Sequence, residues 1–160
     1  MGKVYEQLDD TLAGFIGRQH VFFVGTAPDS PDGHLNLSPK GLDTFRILGP
    51  KAVAYLDLTG SGIETVAHLR ENGRITIMFC GFSGPPRILR LYGRGRAVEP
   101  GDEEWDRLVN LFPDHPGVRS VIVVELERIA DSCGYGVPLF EFAGQRKQLP
   151  AYAERKGPQG

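Results

Sequence analysis

The chain is poor in several features that would assign it to a specialised class of protein. Its 160 residues include only two cysteines, Cys80 and Cys133, which are too few for a disulfide framework and do not have CxxC spacing. Lys and Arg number 18 against 20 Asp and Glu, so the basic excess of general nucleic-acid and anionic-membrane binders is missing. No apolar run approaches the roughly 18 residues of a membrane span. We therefore expect an ordinary soluble domain with neither nucleic acid nor membrane as a partner.

Common catalytic and targeting motifs are missing as well. The sequence contains no HExxH or other metal-ligand spacing, no GxSxG elbow and no Walker A loop. We therefore expect no metal site and no nucleophilic catalysis. The first ten residues, MGKVYEQLDD, lack the apolar stretch of a signal peptide. A reduced, cytoplasmic protein is the expectation.

Turn-forming residues are abundant, with 21 Gly and 12 Pro spread along the chain. Between them lie short runs rich in β-formers, which predict strands at 20–27, 35–38, 44–48, 52–58, 74–80, 87–98 and 119–126. Helical periodicity predicts helices over about 4–16, 62–72 and 102–112. Because strands mostly follow one another through short turns, the pattern favours a mainly β (α+β) fold: an antiparallel barrel of six to seven strands with a few helices. We expect one domain over 1–145 and a tail, 146–160, that is flexible or wraps a partner subunit.

The helix over 62–72 follows the segment Thr59-Gly-Ser-Gly62, which is typical of an anion site. Glycines allow main-chain N–H groups to approach a ligand, and the positive end of the helix dipole favours negative charge. Ser61 and Thr65 add hydroxyl donors, and Lys40 is the candidate cation. A plain capped helix is the alternative, with Ser61 as N-cap, Glu64 completing a capping box and Lys40 in solvent. Glu64 somewhat favours this alternative, because a carboxylate in the first turn competes with a phosphate.

Two further segments carry candidate ligand-binding side chains. The strand 87–98 carries arginines, of which Arg90, Arg94 and Arg96 share one face while Arg87 has the opposite parity. Such donors suit a phosphate or a flavin carbonyl, or they form an ordinary exposed face. The segment SCGYGVP holds Tyr135 between two glycines. Its ring stacks on a planar cofactor, or the segment is a turn that seals the barrel.

The order of motifs resembles the pyridoxamine 5′-phosphate oxidase-like flavoproteins. The motifs are HVFFVGTAP, SPKG, AVAYLDLTGSG, AHLRENGRI, MFC and PPRILRLYGRGRAV, and they cover residues 20 to about 138. SPKG, ENGRIT and SCGYGVP are similar to motifs of the narrower pyridoxamine 5′-phosphate oxidase-related, FMN-binding group. The resemblance implies a split β-barrel that forms a homodimer, with FMN bound in two equivalent clefts between the subunits.

The resemblance also implies a set of cofactor-binding residues. The FMN phosphate would meet Lys40 and the Ser61–Thr65 turn, which includes Gly62 and Glu64. Leu37 and Ser38 would flank the isoalloxazine through main-chain groups. Arg87 or Arg90 would approach from the barrel wall or from the partner, and Tyr135 would close the cleft.

The sequence departs from the oxidases proper at three places. Leu35 or Asn36 stands where they have an arginine, the first turn of the helix lacks their lysine, and the C-terminal arginine and histidine have no match. These departures weigh against pyridoxamine phosphate as the substrate. The expected function is an FMN-binding oxidoreductase of unassigned small-molecule substrate or electron acceptor. The alternatives are a deazaflavin-dependent reductase on the same fold and a non-catalytic flavin- or haem-binding protein.

Overall fold

The computed structural model describes residues 2–60 and 62–157, which form eight strands and four helices. The strands are β1 (Val4–Tyr5), β2 (Phe22–Thr26), β3 (Asn36–Lys40), β4 (Phe45–Gly49), β5 (Ala52–Leu58), β6 (Arg74–Cys80), β7 (Ile88–Val98) and β8 (Val118–Ser132). The helices are α1 (Asp10–Gly17), α2 (Ile63–Asn72), α3 (Trp105–Val109) and α4 (Gln148–Lys156). The mainly β, α+β class expected from the sequence is confirmed.

All strand pairs in the described chain are antiparallel and belong to one sheet. The order is β3-β2-β6-β7-β8-β5-β4, and β1 pairs with β8 outside this path. β3 and β4 are the two end strands, and no ladder joins them among the described residues. The sheet is therefore open along one seam, which agrees with the split barrel that the sequence analysis expects.

The main hydrophobic core lies on the inner face of this sheet. Alternate residues of the central strands point inward, and Val24, Ile77 and Leu91 have no exposed surface. Helices α1 and α2 cover the same core with side chains such as Leu12 and Val66. Each fully buried aliphatic side chain of this kind contributes about 1.5–3 kcal/mol. A second, smaller core lies between the other face of β5 and β8 and helix α3.

Helix α2 has chemically distinct ends. It ends at Gly73, whose φ of 70° is left-handed and whose N–H donates to the Leu69 carbonyl at 3.0 Å, as predicted. The N-cap residue is Gly62, and no side-chain hydrogen bond caps the helix within the described chain. Ser61 lies outside the described residues, so the capping box with Ser61 as N-cap stays a prediction. Among the first N–H groups of α2, that of Thr65 donates to the Gly62 carbonyl at 3.2 Å.

Three predicted elements differ from the observed ones. Val4 belongs to strand β1, and the first helix begins only at Asp10. The predicted helix over 102–112 is a five-residue helix, Trp105–Val109, because its flanks form turns with hydrogen bonds to the third preceding residue. The last strand continues to Ser132 because β1 and β7 supply partners for its second half.

The segment after β8 returns along the end of the sheet. Phe142 stacks on His20 with ring centroids 3.7 Å apart, and the Phe140 N–H donates to the Phe82 carbonyl at 2.8 Å. Helix α4 then occupies the described part of the tail. Within residues 2–60 and 62–157, every helix is too short or too polar to cross a bilayer.

The outer face of β3, β2, β6 and β7 is not covered by any helix of the described chain. The register places Leu37 opposite Gly25, Phe23 opposite Met78, and Thr76 opposite Tyr92, all on this outer face. Leu37 is 69% exposed. Arg90, the cross-strand partner of Met78, lies on the same face, which is therefore a mixture of apolar and basic side chains. Exposed apolar side chains on an uncovered face are a common place for a second protein surface.

Candidate functional site

Strand β3 carries a row of polar side chains on the inner face. Asn36, Ser38 and Lys40 lie opposite the buried Thr26, Val24 and Phe22 of β2, and cross-strand partners share a face. The Asn36 amide donates to the Thr65 hydroxyl at 2.8 Å and accepts a hydrogen bond from the Ser38 hydroxyl at 3.0 Å. This row ties the edge strand to helix α2, with Lys40 at its end.

Lys40 belongs to a three-residue charge cluster. Its Nζ lies 3.3 Å from Oδ1 of Asp57, a residue of β5 with no exposed surface. Arg119 donates to Oδ2 of the same carboxylate through Nε at 2.8 Å and Nη2 at 2.5 Å. The Lys40 side chain is only 14% exposed, so it is not the solvated surface lysine of the alternative reading. Two cations share one carboxylate, which leaves one net positive charge.

The N-terminus of α2 lies against this cluster. A Cβ built on Gly62 would lie 3.3 Å from Asp57 Oδ1, 3.4 Å from Lys40 Nζ and 3.6 Å from Arg119 Nη2. The glycine therefore keeps open the space where the helix dipole and the cations converge. A helix N-terminus with adjacent cations is a chemical arrangement that favours a phosphate.

A cavity of about 660 Å³ opens beside the cluster. Its floor includes Ser38, Lys40 and Gly62. Its other walls come from the turns after β3 and β5 and from the C-terminal segment, with His20, Gly41, Leu42, Thr44, Thr59, Phe142, Gln145 and Leu149 among the lining residues. The volume falls within the range of cofactor and small-molecule sites.

The turn that follows Lys40 is conformationally strained. Leu42 and Asp43 have φ values of 64° and 56°, a left-handed conformation that residues other than glycine rarely adopt. The Thr44 hydroxyl closes the turn by donating to the Gly41 carbonyl at 2.7 Å. Hydrogen bonds from Arg46 hold the pKa of Asp43 below its usual value. Strained turns cluster at ligand sites, and this one forms a wall of the cavity.

Two buried hydroxyls lie close to Asp57 in the sheet. Tyr55 precedes it by two positions on the same face of β5, and Ser120 is its cross-strand partner on β8. Neither hydroxyl has a hydrogen-bond partner among the described residues. Burial, together with the Asp57 charge, raises the pKa of Tyr55 well above its usual value. Ser120 therefore donates no hydrogen bond to Asp57. Among the described residues, the partners of the Asp57 carboxylate are the two cations Lys40 and Arg119.

The structure brings together only part of the predicted set. Ser38, Lys40 and Gly62 line one cavity, and the buried Thr65 connects to it through Asn36. Glu64 is an exposed residue in the first turn of α2. Ser61, as stated above, falls outside the described residues.

The other predicted residues lie elsewhere in the chain. The Leu37 side chain points to the outer face, although its main chain belongs to the edge strand β3. Arg87 lies 3.7 Å from the Asp131 carboxylate, and Arg90 donates to the Ser132 hydroxyl at 3.1 Å. Tyr135 is 83% exposed. No side chain in this group lines the Lys40 cavity, so their roles toward a cofactor stay predictions.

Sequence reasoning missed Asp57, Arg119 and the Phe142–His20 stack. Asp57 carried a usable signal, since it interrupts the apolar strand AVAYLDL at an inward position. Arg119 reaches it because the β5–β8 register shifts between Asp57 and Leu58. No local sequence pattern predicts this β-bulge.

Comparison with known proteins agrees with this architecture. A family model described as pyridoxamine 5′-phosphate oxidase matches residues 8–133. The pyridoxamine 5′-phosphate oxidase family protein ustO of Aspergillus flavus is 45% identical over 141 residues, which cover 86% of this chain and 56% of that protein. The chain therefore spans little more than half the length of this relative.

Solved structures with the same fold are more distant in sequence. An FMN-binding protein from Syntrophomonas wolfei has a TM-score of 0.52 at 15% identity, covering 79% of this chain and 83% of that one. A FAD-binding protein from Mesorhizobium loti has a TM-score of 0.55 at 11% identity, covering 82% and 96%. At such identities these structures support the fold alone. The family model, which spans most of the chain, shows that this protein belongs to the pyridoxamine 5′-phosphate oxidase family.

Proposed function

We propose that this protein binds FMN and acts as a flavin-dependent oxidoreductase on a small molecule. The observation that carries the proposal is the convergence of Lys40, Arg119 and the α2 N-terminus at Gly62, beside a cavity of cofactor size. The net positive charge and the dipole of the α2 N-terminus fit a terminal phosphate. Structural neighbours that bind FMN or FAD add support for a flavin.

The chain's own residues have binding and positioning roles in this proposal. Lys40 and the first N–H groups of α2 hold the phosphate, and Gly62 leaves room for its oxygens. Ser38, on the inner face of the edge strand, offers a hydroxyl further along the same cavity. The Phe142 segment forms one wall of the cavity. When bound, the flavin supplies hydride and electron transfer, and the protein determines its orientation.

We further propose that the functional unit is a homodimer. The uncovered outer face of β3, β2, β6 and β7 is the surface that a second copy would bury, since it presents Phe23, Leu37, Met78 and Tyr92. A cavity beside an edge strand is also enclosed more fully when a second subunit covers that edge. This surface supports the dimer independently of the flavin.

The test compares FMN with riboflavin, which has the same ring and no phosphate. We expect the purified protein to show flavin absorbance bands after FMN is added and dialysed away. Lys40→Ala should weaken FMN binding by roughly 1–3 kcal/mol, the cost of a charge-assisted hydrogen bond, and leave riboflavin binding unchanged. Lys51→Ala is the matched control, because Lys51 is exposed on the β4–β5 turn. A protein that rejects both flavins but retains a deazaflavin would refute FMN as the cofactor.

A further inference from the structure

The buried Asp57 carboxylate has two positively charged partners, although one cation would be enough to neutralise it. Lys40 approaches one oxygen at 3.3 Å, and Arg119 donates twice to the other oxygen at 2.8 and 2.5 Å. Asp57 has no exposed surface, whereas Arg119 and Lys40 are 24% and 14% exposed. A buried carboxylate must be paired, but one well-placed cation is sufficient.

The hydrogen-bond geometry shows that the two cations bind Asp57 unequally. Two short hydrogen bonds from a planar guanidinium are stronger than one longer contact from an ammonium group, so Arg119 is the principal counterion of Asp57. The Lys40 ammonium group, with only one long contact to Asp57, can then bind a second anion as well. Gly62 leaves space beside Lys40 Nζ, where the α2 N-terminus also points.

We infer that Arg119 is a positioning residue: it neutralises Asp57 and thereby leaves Lys40 free to bind the phosphate of the ligand. The inference rests on the proposed function for the identity of that phosphate. It goes further by assigning phosphate recognition to a charge balance among Lys40, Asp57 and Arg119, in which the arginine acts through the carboxylate. Without Arg119, Lys40 would become the sole counterion of Asp57 and the cluster would have no net charge.

A purely structural role for Arg119 predicts a different pattern. Arg119 also donates to the Gly60 carbonyl at 3.3 Å, so it could serve only to hold the loop before α2. In that case removing Arg119 would weaken binding of every ligand and would lower stability. Removing the Asp57 charge as well would then restore no binding, because the loop contact of Arg119 would still be missing and the Asp57–Lys40 ion pair would be lost too.

The charge balance predicts rescue by the double variant. Arg119→Gln should lower the FMN-over-riboflavin affinity ratio by about tenfold or more, as Lys40→Ala does, since each variant removes the net positive charge. Asp57→Asn combined with Arg119→Gln should restore most of that ratio, because Lys40 is no longer held by a carboxylate. Arg107→Gln is the matched control and should leave the ratio unchanged, because Arg107 is an exposed arginine on α3 that pairs with Glu104.

A second readout uses orthophosphate alone and separates this inference from the flavin proposal. Orthophosphate should raise the midpoint of thermal unfolding of the unaltered protein and of the double variant, and should do so much less for Arg119→Gln. If flavin does not bind but orthophosphate follows this pattern, the flavin proposal fails and the charge balance stands. An unchanged affinity ratio in Arg119→Gln, or a double variant no better than that single variant, would overturn the inference.

Discussion

Gly62→Ala is the most direct probe of the proposed phosphate site. Gly62 has φ −71°, which alanine adopts without strain, so the substitution adds a methyl group and little else. That methyl carbon would lie 3.3–3.6 Å from the polar atoms of Asp57, Lys40 and Arg119. These are the flexible ends of side chains, so the protein adjusts by small displacements. The space lost is the space that a phosphate oxygen would use.

The two effects of Gly62→Ala have different magnitudes. Alanine is a poorer N-cap than glycine, which costs up to about 1 kcal/mol of folding free energy. For FMN, the methyl group displaces a phosphate from one or two charge-assisted hydrogen bonds, each worth roughly 1.5–3 kcal/mol. The FMN dissociation constant should therefore rise by about tenfold to a hundredfold or more. Riboflavin makes no such bonds, so its affinity should stay within about twofold of the parent value.

Fluorescence titration with both flavins measures this difference. Gly17→Ala is the matched control, because Gly17 ends α1, does not line the cavity and has no atom within 4 Å of an added Cβ. Its flavin affinities should equal those of the parent protein. If Gly62→Ala binds FMN as tightly as the parent, the phosphate does not lie at the α2 N-terminus. The assignment of Lys40 to the phosphate would then fail with it.

The remaining predictions concern stability and assembly. Burial opposes ionisation of Asp131, but hydrogen bonds from the Lys3 main chain and the Tyr5 hydroxyl outweigh it and hold the Asp131 pKa below its ordinary 3.8. A lowered pKa stabilises the fold above 3.8, and the contribution is lost as the pH falls through the folded-state pKa. Asp131→Asn should therefore lower the unfolding temperature at pH 7, and the difference between variant and parent should disappear in acid. A difference in unfolding temperature that stays constant down to pH 2 would contradict the reasoning. The proposed homodimer predicts that the parent protein and Asp106→Lys, on α3, sediment as dimers, whereas Met78→Lys, on the outer sheet face, sediments as a monomer. A Met78→Lys protein that sediments as a dimer would place the interface elsewhere.

Local patterns determined most of the secondary structure. The strand over 52–58 is observed with the predicted bounds, because a dense run of β-formers lies between turn residues. Helix α2 and its Gly73 terminus were also predictable, since periodicity and a left-handed cap are local properties. The helices predicted over 4–16 and 102–112 were too long. Each prediction extended helical periodicity into residues that form a strand or turns in the structure.

The sequence by itself also determined the parts of the candidate site that lie in recognisable motifs. Lys40, two residues after a predicted strand, and the glycine-rich loop before α2 were identified without coordinates, and the structure places Lys40 and Gly62 side by side. Only the tertiary structure decided that a buried Asp57 lies between two cations and that the C-terminal Phe142 walls the cavity. These contacts join residues far apart in the chain through strand register and a bulge. Such relations depend on how the sheet assembles, and no short stretch of sequence encodes them.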